Sequence, residues 1–396
     1  MAKVSVANNV SKSNRNWIRG YTIAGFFLFI TYQFLLPWDG LPSGIYQTVN
    51  QWMPPSAVNE SLVYVIMALG LNIVVGYAGL LDLGYVAFWA IGGYCAGWFM
   101  SEFFYFLNIH FFGSVPAGTP GIHINFWMVL IIGGFVCALF GVLIGAPTLR
   151  LKSDYLALVT LGFGEIIPQV FFNGENFFGF NISNGTKGIV VVDPIPAGFK
   201  NLGPFDAGWK LLLFLFLTAV MVFISLRLRR GRLGRAWLAV REDELAASMM
   251  GVPLMRTKLA AYAVGAFAGG LGGVAFATHV NGVYAERFNF AISIFLLAMV
   301  VLGGMGNVWG VILGAFVLSW VNGNGLSAFG RVYNDTFGTN INFPSYQFLL
   351  FGLLLVLMML VRREGFIPEA RIRMVMNEEK LEDEENVSDE TKIGHH

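Results

Sequence analysis

Charged residues are scarce in this chain. They make up 12% of its 396 residues, whereas 56% of the residues are hydrophobic, and an average soluble chain has about 25% charged residues. This deficit argues against two or three soluble domains and favours one membrane-embedded body. The net charge of +1 gives no basic excess, so nucleic acid is not an expected partner.

Cysteine and catalytic groupings are scarce as well. The two cysteines, Cys95 and Cys137, lie in apolar stretches, which predicts buried free thiols rather than a disulfide or a metal site. His110, His123 and His279 have no Cys or carboxylate cluster beside them in the sequence, so no metal site is expected. Neither a Ser-His-Asp arrangement nor a P-loop Gly-x-x-x-x-Gly-Lys-Ser/Thr can be found. The chain is therefore not expected to be an enzyme or to hold a cofactor, and any ATP that drives it must bind to another subunit.

Long apolar stretches, by contrast, run through the whole chain. The first follows a basic segment, but it is long and lacks a small-residue cleavage site, so we interpret it as a retained span and not as a signal peptide. The run Gly303-Gly304-Met305-Gly306 is a short interruption between two spans, and residues 76–84 are predicted to be a broken or re-entrant piece. A membrane-spanning helix needs about 20 mostly apolar residues, and ten segments fit: 20–38, 60–77, 84–101, 126–146, 155–172, 210–227, 258–279, 288–303, 308–322 and 345–361.

Basic residues are distributed unevenly between alternate loops. With the N-terminus inside the cell, the cytoplasmic segments contain 20 of the 25 Lys and Arg residues, as is typical of cytoplasmic loops. Both termini are therefore predicted to be cytoplasmic, and we expect an all-α, polytopic bundle of about ten transmembrane helices. Its expected parts are a cytoplasmic segment 1–19, a transmembrane domain 20–361 that includes the loop 228–257, and a polar tail 362–396.

One charged segment, GRLGRAWLAVREDELAASMMGVP (231–253), differs from its apolar surroundings. It contains no Gly or Pro from Ala236 to Met250, so a helix is predicted there that ends at Gly251 and Pro253. A helix with two opposed apolar stripes is expected to be sandwiched between the membrane body and a partner. The two stripes are Leu238, Leu245 and Met249 on one side and Ala236, Val240 and Ala247 on the other.

A helix that lies on the lipid surface is the alternative interpretation. Such a helix has one broad apolar face and a Lys-rich polar face. Here the triplet Glu242-Asp243-Glu244 would face an anionic leaflet unfavourably. A protein partner is therefore favoured over lipid.

Several motifs follow one another in an order that resembles one protein family. From about residue 60 to residue 366 the chain resembles the LivM-type permeases of branched-chain amino-acid ABC importers. The motifs that carry this resemblance are GYAGLLDLGY (76–85), RLKSDYLA (150–157), TLGFGEI (160–166), GRAWLAVREDELAA (234–247) and MVVLGGMG (299–306).

The resemblance implies a role for the charged segment. In ABC importers this loop carries a coupling helix that docks in a cleft of the ATPase subunit. The general importer pattern is Glu-Ala-Ala, three residues and then Gly; here Leu245 stands in place of the Glu and Glu244 lies one position early, which leaves the role of Glu244 open. The residues expected to couple to the ATPase are Arg235, Trp237, Val240, Arg241, Glu242, Asp243, Glu244, Ala246, Ala247 and Gly251.

The resemblance also implies the partners and the location. Two ABC ATPase subunits would bind ATP and Mg, a second permease of the LivH type would complete the pathway, and an external binding protein would deliver the substrate. The location would be the bilayer of the bacterial inner membrane.

Glycines repeat every four residues in two predicted spans. Such repeats form grooves that let another backbone come close. Internal packing is favoured over a seam with a second permease. The two sets are Gly265, Gly269 and Gly273, and Gly306, Gly310 and Gly314.

Few polar groups lie in the predicted spans, and such groups are candidates for a substrate pathway. They are Asn72, Asp82, Thr160 and Glu165. Asp82 is alternatively the N-cap of the third span, and Glu165 is alternatively a carboxyl bonded to a neighbouring helix. Lys187, in an external glycine-rich loop that departs from the family pattern, would favour a substrate carboxylate; a simple turn is the alternative.

The sequence therefore predicts the permease of an ATP-driven importer of branched-chain or other neutral amino acids that works by alternating access. Two alternatives stay open. One is an importer of urea or short-chain amides with a similar permease. The other is a stand-alone secondary carrier, although the inverted repeats typical of such carriers are not evident.

Overall fold

Helices form most of the computed structural model, which describes residues 50–116, 118–151, 153–196, 201–203, 206–361 and 365–367. The predicted segment 1–19, the first predicted span 20–38 and nearly all of the tail 362–396 lie outside the described residues, so the count of ten spans stays a prediction. In the described ranges the helices are α1 (Pro55–Asn72), α2 (Val86–Phe99), α3 (Phe126–Thr148), α4 (Ser153–Phe172), α5 (Ala207–Arg230), α6 (Arg232–Glu242), α7 (Glu244–Met249), α8 (Leu254–Val280), α9 (Phe290–Gly303), α10 (Val308–Trp320), α11 (Leu326–Phe337) and α12 (Gln347–Val361).

Six helices in these ranges are long and apolar enough to cross a membrane. They are α1 with the turn that follows it, α3, α4, α5, α8 and the run from α10 through α11. The helices α2, α9 and α12 are apolar but shorter; at 1.5 Å per residue, a helix the length of α2 extends ~21 Å, less than the ~30 Å hydrocarbon core. Each predicted span after the first coincides with an apolar helix, so the helical, polytopic membrane class is confirmed.

Two breaks interrupt the bundle where glycines predicted them. After α1 the chain makes a π-helical turn (Ile73–Tyr77) and is then not regularly helical until α2. Between α9 and α10, Gly304 and Gly306 have φ values of 112° and 83°, a region that residues with a side chain rarely adopt. The two breaks are in contact, because the backbone N–H of Gly306 donates to the side-chain oxygen of Asn72 at 2.9 Å.

Short strands, which the all-α prediction did not include, lie at one end of the bundle. They lie in the segments that follow α2, α4 and α8. We call this end the strand end. Helix α5 runs from this end to the loop 231–253, and α8 runs back from that loop, so the loop lies at the opposite end, the loop end. The pairs are β1 (Met100–Ser101) and β2 (Asn108–Phe111), each with β3 (Gly121–Ile124), then β4 (Ile189–Val190) with β7 (Gly282–Val283) and β5 (Ile195–Pro196) with β6 (Asn201–Leu202).

Helix α8 lies at the centre and packs against α2 and α3. Its glycines permit this, because a Cβ at Gly265 would lie 2.3 Å from the Val74 side chain, and one at Gly273 would lie 2.3 Å from the carbonyl oxygen of Trp89. A Cβ at Gly269 would meet Phe88 on α2. The first glycine set therefore packs inside this chain, as favoured, rather than at a seam with another subunit.

The second glycine set differs from its prediction. Gly310 and Gly314 pack against α9, where a Cβ would lie 2.1 Å from the carbonyl oxygen of Gly303 and 2.6 Å from that of Met299. Gly306, however, precedes α10 and belongs to the break. The prediction of one helical groove through all three glycines was wrong, because the left-handed φ of Gly306 is incompatible with a helix.

We expect Gly273→Ala to destabilise the protein by about 1–3 kcal/mol, the usual range for an overpacked core. The added methyl group would meet the backbone of α2, which cannot rotate away as a side chain can. Gly352→Ala is the matched control, since a Cβ there has no atom within 4 Å and alanine favours a helix by up to about 1 kcal/mol over glycine. The midpoint of thermal unfolding of the purified protein in detergent should fall for Gly273→Ala and should not fall for Gly352→Ala. Equal midpoints for the two variants would contradict the close approach of α8 and α2.

Candidate functional site

The charged segment at the loop end is two helices and not the single helix that was predicted. Asp243 separates α6 from α7 with extended backbone angles, φ −155° and ψ 113°. Its side chain accepts hydrogen bonds from the backbone N–H groups of Leu245 and Ala246, at 2.8 and 3.0 Å. Asp243 is therefore the N-cap of α7 and does not act as a free charge on a docking face.

The end of α7 agrees with its prediction. Gly251 has a left-handed φ of 83°, its N–H donates to the carbonyl of Ser248, and the N–H of Val252 donates to the carbonyl of Ala247. These two bonds form a Schellman motif, which satisfies the last carbonyls of a helix.

One face of the segment packs against the bundle. Trp237 is fully buried, and its indole N–H donates to the carbonyl of Thr257, near the start of α8, at 2.8 Å. Val240 and Ala247 are buried on the same side. Trp237 is therefore an anchor of the loop, although it belongs to neither of the two predicted apolar stripes. Its size and apolar ring were the available signal.

Glu244 has a defined partner. Its carboxylate lies 2.6 Å from the ammonium of Lys258 on α8, where Lys258 is mostly buried and Glu244 is about half exposed. The bond fixes α7 to the first turn of α8. No local pattern indicates this pair, because its members lie on different helices joined by a turn.

Arg241 connects the loop to the first break. Its guanidinium donates to the carbonyl of Gly76 in the π-helical turn, and a Cβ at Gly79 would lie 2.9 Å from the Arg241 side chain. A helix leaves its last four carbonyls without intrahelical donors, and a basic side chain can satisfy one of them. Arg241 supplies such a donor to α1 from a separate segment of the chain.

The opposite face of the segment is exposed and partly apolar. Leu245, Met249 and Met250 are 66%, 77% and 85% exposed. The side chains of Arg235, Glu242 and Ala246 are exposed on the same two helices. Of the two predicted stripes, the inner one is thus buried at Val240 and Ala247, and the outer one is open at Leu245 and Met249.

The predicted pathway residues lie in four separate places. Asn72 is buried beside the second break, where it accepts from Gly306. Asp82 and Thr160 lie at the first break: the hydroxyl oxygen of Thr160 accepts from the N–H of Leu83 at 3.1 Å, and Asp82 Oδ1 accepts from the N–H of Gly84 at 2.9 Å.

Asp82 shapes the turn before α2 rather than capping that helix directly. The side-chain acceptor at the start of α2 comes from α9, because the hydroxyl oxygen of Ser293 accepts a hydrogen bond from the N–H of Val86 at 3.0 Å. Asp82 is buried, and no hydrogen-bond partner is found for its Oδ2 among the described residues. The proposed N-cap role therefore holds only for the turn, because Ser293 caps the helix.

Glu165 lies on the exposed side of α4, away from Thr160. The prediction that it is bonded to a neighbouring helix of this chain is not matched, since among the described residues its carboxylate has no ion-pair or hydrogen-bond partner. Lys187 lies at the strand end and pairs with Glu175 at 3.1 Å, with both side chains exposed. It is therefore already partnered by an acid and is not gathered with the other pathway candidates.

At the strand end, the fold places a carboxylate beside His123, which has none near it in the sequence. His123 Nδ1 and Asp193 Oδ2 lie 2.8 Å apart, both buried, and the ring of His110 stacks on that of His123 with centroids 4.8 Å apart. Burial raises the pKa of the Asp193 carboxyl, and the hydrogen bond with His123 opposes the increase. Sequence inspection missed Asp193 because 70 residues separate it from His123. No group of three or more metal-binding side chains is found in the described part of the chain.

Comparison with known proteins matches residues 55–359 to a family described as the permease component of branched-chain amino acid transport systems. The high-affinity branched-chain amino acid transport system permease proteins LivM of Salmonella typhimurium and Escherichia coli are both 37% identical to this chain, over 78% of it and 69% of their own length. A probable branched-chain amino acid transport permease, LivM of Methanocaldococcus jannaschii, is 27% identical over 78% of this chain and 91% of its own. No solved structure is significantly similar.

Proposed function

Because the chain belongs to the family of permease components of branched-chain amino acid transport systems, we propose that it forms one half of the membrane pathway of an ATP-driven amino-acid importer. Proteins of this family are transporter subunits and not enzymes, and the chain is a multi-pass protein of the bacterial inner membrane. The relatives named for branched-chain amino acids support leucine, isoleucine and valine over urea as substrates.

The exposed apolar face of α6 and α7 is the observation that carries the proposal of an ATPase partner. Leu245, Met249 and Met250 are exposed at the loop end, on a helix capped at both ends. Clusters of exposed apolar side chains of this kind mark protein-binding surfaces, and flexible methionines suit such contacts. We assign the loop end to the cytoplasm, where the ATPase subunit binds ATP and Mg and receives this face in its cleft.

The contacts of the inner face supply a route from the ATPase to the pathway. Trp237 and Glu244 fix the two short helices to the start of α8. Arg241 fixes them to the carbonyl end of α1, beside the first break. When ATP binding moves the docked helices, α8 and the first break move with them, and the pathway alternates between its two sides. The two breaks are suited to this movement because their backbones form few of the regular hydrogen bonds of an α-helix.

Two further partners complete the proposed importer. An external binding protein delivers the amino acid at the strand end. An open cavity of about 940 Å³ lies there, and its lining includes the aromatic residues 103–106 and Phe180. A second permease of the LivH type supplies the other half of the pathway.

Reconstitution tests the function. The chain is co-expressed with a candidate ATPase subunit, a candidate second permease and a candidate binding protein. The complex is placed in proteoliposomes, and uptake of radiolabelled leucine and urea is measured with and without ATP on the loop side. We expect leucine uptake that needs ATP and little urea uptake. Leucine uptake without ATP would establish the secondary-carrier alternative, and ATP-driven urea uptake would establish the amide alternative.

A further inference from the structure

One face of α4 is open along its whole length. Its side chains project from the surface of this chain, and a Cβ at Gly162 would have no atom within 4 Å. Tyr155, Leu158 and Ile166 are 61%, 66% and 58% exposed. The same face carries two polar groups, the carboxylate of Glu165 and the amide of Gln169, both exposed.

Glu165 lies near the middle of the span. The membrane-spanning part of α4 is Tyr155–Phe172. At 1.5 Å per residue, Glu165 lies ~15 Å from one end and ~10 Å from the other. Neither distance allows a short glutamate side chain to reach the membrane surface as a lysine or arginine near a helix end can.

The α4 helix cannot rotate to hide this carboxylate. Its opposite face is fixed to the first break, where Thr160 accepts from the N–H of Leu83. A Cβ at Gly84 would lie 2.1 Å from the carbonyl of Thr160, and one at Gly164 would lie 2.8 Å from the Cα of Gly84. The exposure of Glu165 is therefore set by the packing of the helix.

The open face of α3 provides a contrast within the same chain. Its exposed side chains include Ile131, Phe135, Leu139 and Leu143, between 53% and 64% exposed and all apolar. That composition suits contact with lipid. A carboxylate and an amide at mid-membrane do not suit contact with lipid, because polar and ionisable side chains in spans face a bundle interior or a water-filled cavity. The described part of this chain forms no such interior around Glu165, and we infer that a second chain forms it.

We propose that the open face of α4 is one wall of a water-filled translocation pathway whose other wall is the second permease subunit, and that the Glu165 carboxylate accepts hydrogen bonds from the ammonium group of the transported amino acid. This inference rests on the proposed function. A carboxylate pairs strongly with an ammonium group, and Gln169, one helical turn away, adds a neutral donor and acceptor. The open position at Gly162 leaves room for the substrate beside the helix.

Labelling of single cysteines tests whether the open face of α4 lines a water-filled pathway. In the complete complex, with Cys95 and Cys137 replaced by alanine, the variants Ile166→Cys and Gln169→Cys are treated with a charged, water-soluble methanethiosulfonate, and Leu139→Cys on α3 is the matched mid-membrane control. Since the reagent reacts with a hydrated thiolate, we expect labelling at 166 and 169 to be at least ~10-fold faster than at 139, and leucine to slow it. Equal labelling rates at positions 166, 169 and 139 would contradict the proposal that the open face of α4 lines the pathway.

Kinetics of Glu165→Gln tests the substrate contact. Loss of one charge-assisted bond should raise the KM for leucine about 10- to 100-fold, with Glu165→Asp in between and the amount of bound ATPase unchanged. A KM within about twofold of the unsubstituted chain would overturn the ammonium contact. Failure of the proposed function gives a different result, because the unsubstituted complex would then show no ATP-dependent leucine uptake while the labelling pattern could still be read.

Discussion

The double variant Leu245→Glu/Met249→Glu should lose the ATPase partner and, with it, leucine uptake. Both side chains are exposed on the face of α7 that points away from the bundle. Placing two carboxylates in an apolar cleft leaves them desolvated and unpaired. Each substitution at an interface hot spot weakens binding by about 2 kcal/mol or more, so together they should lower the affinity by about 10³-fold.

The measurement is co-purification of the ATPase subunit with the tagged chain, together with uptake in the same membranes. Ile341→Glu, at an exposed apolar position in the connection after α11, is the control for expression and insertion. Glu244 and Ala247 are unsuitable targets, because Glu244 pairs with Lys258 and Ala247 is buried, so changes there would disturb the fold. Normal ATPase recovery with the double variant would show that the partner binds elsewhere.

Arg241→Met should uncouple ATP hydrolysis from transport without releasing the ATPase. Methionine keeps an unbranched apolar stem, but it removes the guanidinium that donates to the carbonyl of Gly76. The carbonyl end of α1 would then lack this donor, and motion of α6 would reach the first break less directly. We expect uptake to fall at least ~10-fold, which corresponds to ~1.4 kcal/mol in the coupled step, while ATP hydrolysis by the complex continues.

Arg232→Met is the matched control on the same helix. The side chain of Arg232 is exposed in the first turn of α6, and Arg232 is not among the residues expected to couple to the ATPase. The Arg232→Met variant should leave the ratio of leucine molecules transported to ATP hydrolysed unchanged. Arg241→Lys should be intermediate, since lysine can donate to a carbonyl but lacks the fixed fork of arginine. If Arg241→Met keeps the normal transport ratio, the bond to Gly76 does not couple the loop to the pathway.

The position of the charged segment could be predicted from the sequence because the features that mark it lie close together along the chain. Charged residues in an apolar chain, a run without Gly or Pro and the final Gly251 are visible in 23 consecutive residues, 231–253. The break at Asp243 was missed because an Asp followed by Glu-Leu-Ala-Ala fits a helix interior and a helix start equally well. Which of the two applies depended on whether Val240 and Ala247 could both reach the bundle, and the extended backbone at Asp243 allows this.

The sequence by itself determined that this is a membrane protein of many apolar helices, where most of those apolar helices lie, where the two glycine-rich breaks occur and which loop is charged. Each of these follows from the composition of a short window, because the bilayer selects for apolar length and glycine for irregular backbone. The tertiary structure alone decided which side chains meet across the chain: Arg241 with Gly76, Glu244 with Lys258, and His123 with Asp193. It also decided that Thr160 points into the fold and Glu165 out of it. A helical sequence fixes the angle between two of its side chains, but only packing against neighbouring helices fixes which of them faces the interior.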